Sequence, residues 1–373
     1  MSQPLSGTRV IDLSRALAGP LTAMILGDMG ADVIKVERPS SGDESRAWGP
    51  PFDDRGESAY YLTCNRNKLS VAVDLDFAVD RQLLRQLIAT ADVVVDNFRR
   101  GTLERRGLDP AAMLEAHPGL IWCTISGFGA GSARPGYDFV VQAESGWMSI
   151  TGEVGGKPMK MGVALADVIA GKDAAIAILA TLVAARRGTT VERQLHVSLQ
   201  QAAVSALSNV AQSALVTGRE AARWGNAHAS LVPYELFAAA DRSLVIAVGN
   251  DAQFAALVRV LGVNALADRR FVTNAGRLEH RAEVVHAIQE CLGRRTAGEW
   301  IARLEPAGVP CGVVRSVLEA LGAVSASPLS GVAPAAPGVV RRAPPRLDEH
   351  GALVRSHGWD AFARARDSLE SST

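Results

Sequence analysis

A doubly wound α/β fold, with a mostly parallel sheet in a large domain and a smaller α+β domain after it, is what this sequence predicts. In the first half, short apolar runs rich in β-branched residues alternate with amphipathic segments, the pattern of strands buried beneath crossover helices. Near residue 223 that alternation gives way to two paired strands followed by several helices. The 373 residues, 48% apolar and 21% charged, are globular in composition and long enough for two cores.

Residues 8–14 (TRVIDLS) read as the first strand and 20–29 as a helix that Gly30 stops. Residues 32–37 (DVIKVE) and 69–75 (LSVAVDL) read as the next two strands, and 81–91 as a helix. A strand at 92–98 (DVVVDNF), a helix at 109–117 and a strand at 120–126 follow. Ligands of such sheets gather where strands end, here at Ser14-Arg15, Glu37-Arg38, Asn97-Phe98 and Ser126-Gly127. A helix at 164–187, rich in Ala, Ile and Leu, reads as buried on most sides. A strand at 194–198 and a helix at 199–217 complete the large domain, taken as 1–220. Strands at 234–237 and 243–248 and helices at 252–261, 277–292 and 296–304 make the smaller domain, 221–322. Residues 323–347, dense in Ala, Pro, Ser and Gly, read as a linker, and 348–373 as a C-terminal helix returning to the large domain.

Charge and cysteine usage exclude several functions. There are 39 basic and 39 acidic residues, so neither nucleic acid nor an anionic membrane is the expected partner. Only five basic residues are lysines, a bias that reads as genomic composition. The four cysteines have no C-x-x-C spacing, and the histidines form no H-E-x-x-H, so neither a disulfide framework nor a metal site is expected. The first residues lack the pattern of a signal peptide, and the apolar stretch at 174–185 is shorter than the ~20 residues of a membrane span, so a soluble cytoplasmic protein is expected. The turn after the first strand, S-R-A-L-A-G-P, is no G-x-G-x-x-G, and no P-loop or G-x-S-x-G occurs.

Asp167 stands out as the one charge in GVALADVIAG, residues 162–171. Its helical neighbours at three and four residues are Val163, Ala164, Ala170 and Gly171, so no local cation can pair with it. Burying an unpaired carboxylate costs several kcal/mol, which leaves helix capping, a tertiary partner or function. Arg38, Arg46 and Arg105 follow strand ends and suit a polyphosphate, although single arginines are commonly solvated. Phe98 offers a stacking face or a core side chain.

These motifs together resemble class III CoA-transferases, the family of formyl-CoA:oxalate transferase and the carnitine and bile-acid CoA-transferases. The resemblance runs through Leu13–Pro20, GDMGADVIKVERPSSGDESR (27–46), Asn67-Lys68, Asp96–Arg99, Gly127–Gly129, Pro135–Asp138, 162–171, Val248–Asp251, Ala307–Pro310 and Pro345–His350, in order and over nearly the whole chain. It implies a Rossmann-like CoA-binding domain, a smaller domain, and a homodimer of two interlocked rings. It also implies that Asp167 is the nucleophile that forms an aspartyl-acyl anhydride and then an aspartyl-CoA thioester, with Tyr137 and Asp138 beside it. By position, Ala16, Arg38, Val73, Asn97, Phe98 and Arg105 are the implied CoA contacts, and the partners are an acyl-CoA and a carboxylic acid. Leu17 stands where formyl-CoA:oxalate transferase has glutamine, and that enzyme's lysine near Pro135 and its glycine loop at 248–251 are missing. The pattern is closer to members using succinyl-CoA or another dicarboxylic acyl-CoA. Two alternatives remain: a 2-methylacyl-CoA racemase on the same fold, for which Tyr137 is a poor substitute for histidine, and a CoA-binding protein without turnover.

Overall fold

The computed structural model describes residues 3–335 and 337–370. β1 (Arg9–Asp12), α1 (Ala18–Asp28), β2 (Asp32–Glu37), a short α2 (Ala59–Leu62), β3 (Lys68–Ala72), α3 (Ala78–Ile88), β4 (Val93–Asp96), α4 (Pro110–Ala116) and β5 (Ile121–Ser126) open the chain. α5 (Asp138–Glu144), α6 (Trp147–Ile150), α7 (Leu165–Arg186), β6 (Gln194–Ser198), α8 (Leu199–Ser205) and α9 (Ser208–Thr217) come next. β7 (Tyr234–Ala238), β8 (Ser243–Ala247), α10 (Asp251–Leu261), α11 (Asn274–Glu279), α12 (Arg281–Leu292), α13 (Ala297–Leu304), β9 (Cys311–Val313) and α14 (Val317–Leu321) follow. The chain ends through β10 (Ala326–Ser327), β11 (Gly331–Val332), α15 (Gly351–His357) and α16 (Ala361–Glu370).

β1 to β6 form one parallel sheet in the order β3-β2-β1-β4-β5-β6. Alternate side chains of each strand enter two cores. Ile11, Ile34, Leu69, Val94 and Trp122 pack with α3 and the C-terminal helices. Val10, Val33, Val93, Ile121 and Cys123 pack with α1, α7 and α8. The strand order reverses between β1 and β4, where a doubly wound sheet opens a crevice at its carboxyl edge.

Two compact units divide the chain. The first takes in the described residues up to Met148, Lys160–Arg219 and the described residues from Val324 onward, and the second Ser149–Met159 and Glu220–Ala323. In the second unit the antiparallel β7-β8-β9 sheet packs Phe237, Leu244 and Ile246 against α10, α12 and α13. The Ala- and Pro-rich stretch lies along the first unit: the Asn67 amide donates to the Arg342 carbonyl at 3.1 Å, and the His350 amide donates to the Ser70 carbonyl at 3.0 Å on the β3 edge.

Three helices expected to be continuous are broken in pairs, at 206–207 between α8 and α9, at His280 between α11 and α12, and near Gly358 between α15 and α16. His280 leaves helical geometry at φ −111°, and Gly358 is left-handed at φ +54°. Apolar spacing survives such short interruptions, so periodicity passes over them. α7 also departs from expectation. It is 22 residues long with a mean hydropathy of 1.9 in its most apolar window, enough by length and composition alone to cross a membrane. Asp167, Lys172 and Asp173 hide that length by interrupting the run. Only seven of its residues are buried, and Ile176 is 64% exposed.

Candidate active site

The site begins in the turn that follows β1. Beneath it lies a buried charge network: Lys68 Nζ donates to Asp12 Oδ2 at 2.8 Å, and Lys35 Nζ donates to Asp43 Oδ2 at 2.9 Å and to the Ser14 carbonyl at 3.0 Å. Burial would push the Asp43 carboxyl up, but Lys35 and the Ser45 and Ala16 amides outweigh it and hold it at about 2. Asp43 Oδ1 accepts from the Ala16 N–H at 3.1 Å, and Ala16 sits in the left-handed region at φ +66°. Asn97 completes the turn's support, its Oδ1 accepting from the Arg15 N–H at 3.0 Å and its Nδ2 donating to the Arg15 carbonyl at 2.8 Å. The turn is therefore fixed from three strands, and α1 starts from it in a set direction.

α7 crosses α1 with small residues between them. A Cβ on Gly171 would stand 2.7 Å from the Ala18 carbonyl oxygen, and Thr22 Oγ1 donates to the Gly171 carbonyl at 3.0 Å. This crossing brings Asp167, in the first turn of α7, to the start of α1. There its carboxylate accepts from the Ala18 N–H. Neither Leu17, the N-cap of α1, nor the first turn of α1 supplies a side-chain cap or an acidic residue, so Asp167 does so from another helix. It does not cap its own, whose N-cap residue is Ala164. Burial, then the charge of Asp138, raises the Asp167 carboxyl to about 7 against the opposing Ala18 hydrogen bond.

Asp138 opens α5 and faces α7, its Oδ1 accepting from the Ala166 N–H at 2.8 Å. The segment before it is fixed by a backbone contact that only glycine permits: a Cβ on Gly127 would lie 2.3 Å from the Gly136 Cα, and one on Gly136 would lie 2.1 Å from the Gly127 Cα. Tyr137, the N-cap of α5, is 60% exposed. Tyr60 stacks edge-on against Trp48 at 4.9 Å. Burial, then the charges of Asp167, Cys64, Asp138 and Asp43, raises its hydroxyl to about 12, so it stays a donor at neutral pH.

A cavity of about 980 Å³ joins these parts along the carboxyl edge of the sheet. Of the expected site residues, Ala16, Arg38, Asn97, Phe98, Tyr137, Asp138 and Asp167 line it. Val73 lines an adjoining cavity of about 300 Å³ that shares Arg38 and Phe98. Arg105 lines neither; its guanidinium lies against Gly101, while Arg99 and Arg100 line the larger cavity. Phe98 both lines the cavities and packs on the core, with the Arg15 guanidinium 5.4 Å from its ring centre. Arg46 contradicts the reading of it as a phosphate ligand. Its guanidinium donates to Glu37 Oε1 at 2.7 Å, pairs with Glu57 Oε1 at 2.7 Å and lies over the Tyr61 ring. Two carboxylates in a buried pocket consume its charge. Sequence reasoning missed Trp48, Tyr60 and Arg100, since nothing in their local pattern marks them, and took Arg99 only as part of the resemblance and not as a site residue. Among the described residues no three His, Cys, Asp or Glu side chains converge to hold a metal.

The site thus holds a half-buried carboxylate of raised proton affinity beside a cavity lined by Arg15, Arg38, Arg99, Arg100 and Arg134. The family model of CoA-transferase family III matches residues 5–351. The chain is 43% identical to the succinate–glutarate CoA-transferase of Agrobacterium fabrum, over 85% of this chain and 81% of that one. It is 40% identical to the human succinyl-CoA:glutarate CoA-transferase, over 84% of this chain and 72% of that one. The crystal structure of a CAIB/BAIF family protein from Brucella suis matches with a TM-score of 0.84 at 37% identity, covering 95% of this chain and 99% of that one. The chain belongs to CoA-transferase family III and is an enzyme of that family.

Proposed function

We propose that this enzyme moves CoA from succinyl-CoA, or another dicarboxylic acyl-CoA, to a free dicarboxylic acid such as glutarate, with Asp167 as the covalent carrier. The observation that carries the reading is the Asp167 carboxylate, held on the Ala18 N–H at the cavity wall and raised to about 7. The names of the Agrobacterium and human relatives support the acids.

In the first step a carboxylate oxygen of ionised Asp167 attacks the thioester carbonyl, the C–S bond breaks, and CoA leaves as thiolate from a mixed anhydride. The thiolate then attacks the aspartyl carbonyl, releasing the donor acid and leaving CoA on Asp167. The incoming acid reverses both steps. No net proton or redox equivalent is needed. A carboxylate with raised proton affinity is the stronger nucleophile, and the Tyr60 hydroxyl and backbone amides of the turns are the donors for the oxyanion. Arg38, with Arg99 and Arg100 in the place the resemblance gave to Arg105, supplies charge for the CoA phosphates; Ala16, Val73, Asn97 and Phe98 complete the CoA contacts that the resemblance implies. Asn97 would act mainly by holding the Arg15 backbone. The reading includes the interlocked homodimer, supported by the apolar surface of α7 and α9, where Leu215 is 78% and Val216 76% exposed.

The test is to incubate the protein with succinyl-CoA, trap with hydroxylamine or borohydride, and map the modified peptide by mass spectrometry. Modification at Asp167 is the expected result, and an inactivated protein with unmodified Asp167 would sink the reading. D167A should lose transfer by about 10³-fold or more while still binding CoA. Exchange of the α-proton with deuterated water in the absence of any acid acceptor would point to the racemase instead.

A further inference from the structure

We propose that Asp138 and Gln142 form a bracket that positions Asp167, which makes Asp138 a positioning residue. The proposal rests on the reading of Asp167 as nucleophile.

Gln142 lies one helical turn after Asp138 in α5 and is fully buried. Its Oε1 accepts from the Met161 N–H at 2.8 Å, while its Nε2 donates to the Val163 carbonyl at 3.2 Å and to Asp138 Oδ2 at 2.5 Å. The backbone contacts fix which end of the amide is which, so the nitrogen must face Asp138. The other oxygen of Asp138 accepts from the Ala166 N–H. One carboxylate and one amide thus hold three backbone points, Met161, Val163 and Ala166, in the lead-in to Asp167. α7 needs the outside support, because Ala164 at its N-cap has no side-chain acceptor. Both oxygens of Asp138 accept from protein donors, which ties its carboxylate to Gln142 and to the start of α7.

The bracket also brings a negative charge to Asp167, and that charge raises the Asp167 carboxyl after burial. The other titratable groups of the shared cavity wall are Tyr60 of α2, Tyr137 at α5, His196 of β6, the acids Glu44, Asp96 and Glu104, and the arginines Arg15, Arg38, Arg99, Arg100 and Arg134, and Cys64 packs beside Tyr60. α1 contributes an amide and no acidic group in its first turn. Among the described residues no cation counters the Asp138 charge at Asp167.

Three variants test this against the unaltered enzyme, with succinyl-CoA and glutarate as substrates. D138N keeps an acceptor for Ala166 and removes the charge, so the acid limb of the kcat profile should move down by about one pH unit. Q142E keeps the acceptor for Met161 and sets a second carboxylate against Asp138; two carboxylates so close and buried share one proton, so the charge near Asp167 is unchanged and the limb should stay within about half a unit of the unaltered enzyme's. KM for succinyl-CoA should stay within about twofold in both, since neither change touches Arg38, Arg99 or Arg100. A purely structural role predicts losses of kcat in both variants with unmoved limbs, and a D138N limb that stays put or moves up overturns the proposal. D138N alone could unfold, because its amide would face the Gln142 amide. The pair D138N/Q142E restores donor to acceptor there; its limb should fall below that of Q142E, and equal limbs overturn the bracket. Trapping on the unaltered enzyme separates the two ideas. Unmodified Asp167 sinks the nucleophile reading, whereas trapped Asp167 with unmoved limbs sinks the bracket alone.

Discussion

At the residue scale the distinction that matters is whether a charged group has spent its charge within the fold. Asp167 is largely buried, has a like charge near it and only one backbone donor, so its carboxyl titrates at about 7, above the ordinary aspartate value of 3.8. The native state therefore holds its proton more tightly than the unfolded chain. That contribution to stability is present below about pH 4 and is lost as pH rises through about 7. D167N should accordingly be more stable than the unaltered protein at pH 8, by about 1–2 kcal/mol once partial exposure is allowed for, with the difference vanishing near pH 4. Denaturant melts at the two pH values check it. Arg38 and Arg46 make the opposite pair. R38A should weaken CoA by about 1.5–3 kcal/mol with little change in stability, as read by calorimetry. R46M should instead destabilise by about 3–5 kcal/mol, since it strands the buried Glu37 and Glu57. Both arginines follow β2 in sequence, and only their neighbours tell them apart.

At the scale of elements, two close backbone approaches aim the chemistry. Gly171 lets α7 lie on α1, so Asp167 meets the Ala18 N–H; Gly127 and Gly136 let the strand end of β5 touch the lead-in to α5, so Asp138 meets Ala166. Adding a methyl at Gly127 forces the two segments apart. G127A should cost about 1–3 kcal/mol in stability and at least about tenfold in kcat, measured by thermal melting and steady-state transfer. These elements were largely legible in sequence. Six strands and their order of appearance follow from β-rich apolar runs that local burial on both faces dictates. The breaks at 206–207, His280 and Gly358 were not, because a kink leaves the apolar spacing on each side intact.

At the scale of the whole molecule, α7 and α9 leave Ile176, Val183, Leu215 and Val216 exposed. The interlocked homodimer of the proposed function covers such a surface. Sedimentation at micromolar concentration should give a species of twice the mass of the 39.3 kDa chain, and L215D/V216D should weaken the assembly; a monomer with full activity would contradict it. The sequence by itself determined the parallel sheet, the carboxyl edge where ligands gather, and the isolation of Asp167, because each is a local property of apolar spacing or of missing neighbours. Only the tertiary structure decided that Asp167 serves α1 and not its own helix, that Arg46 is consumed by Glu37 and Glu57 while Arg38 reaches the cavity, and that Tyr60 and Trp48 join the site. Those outcomes depend on side chains meeting across helices and strand ends far apart in the chain. The physical reason is that a charge or hydrogen bond is settled by what lies within a few ångströms in space, which local residue order does not encode.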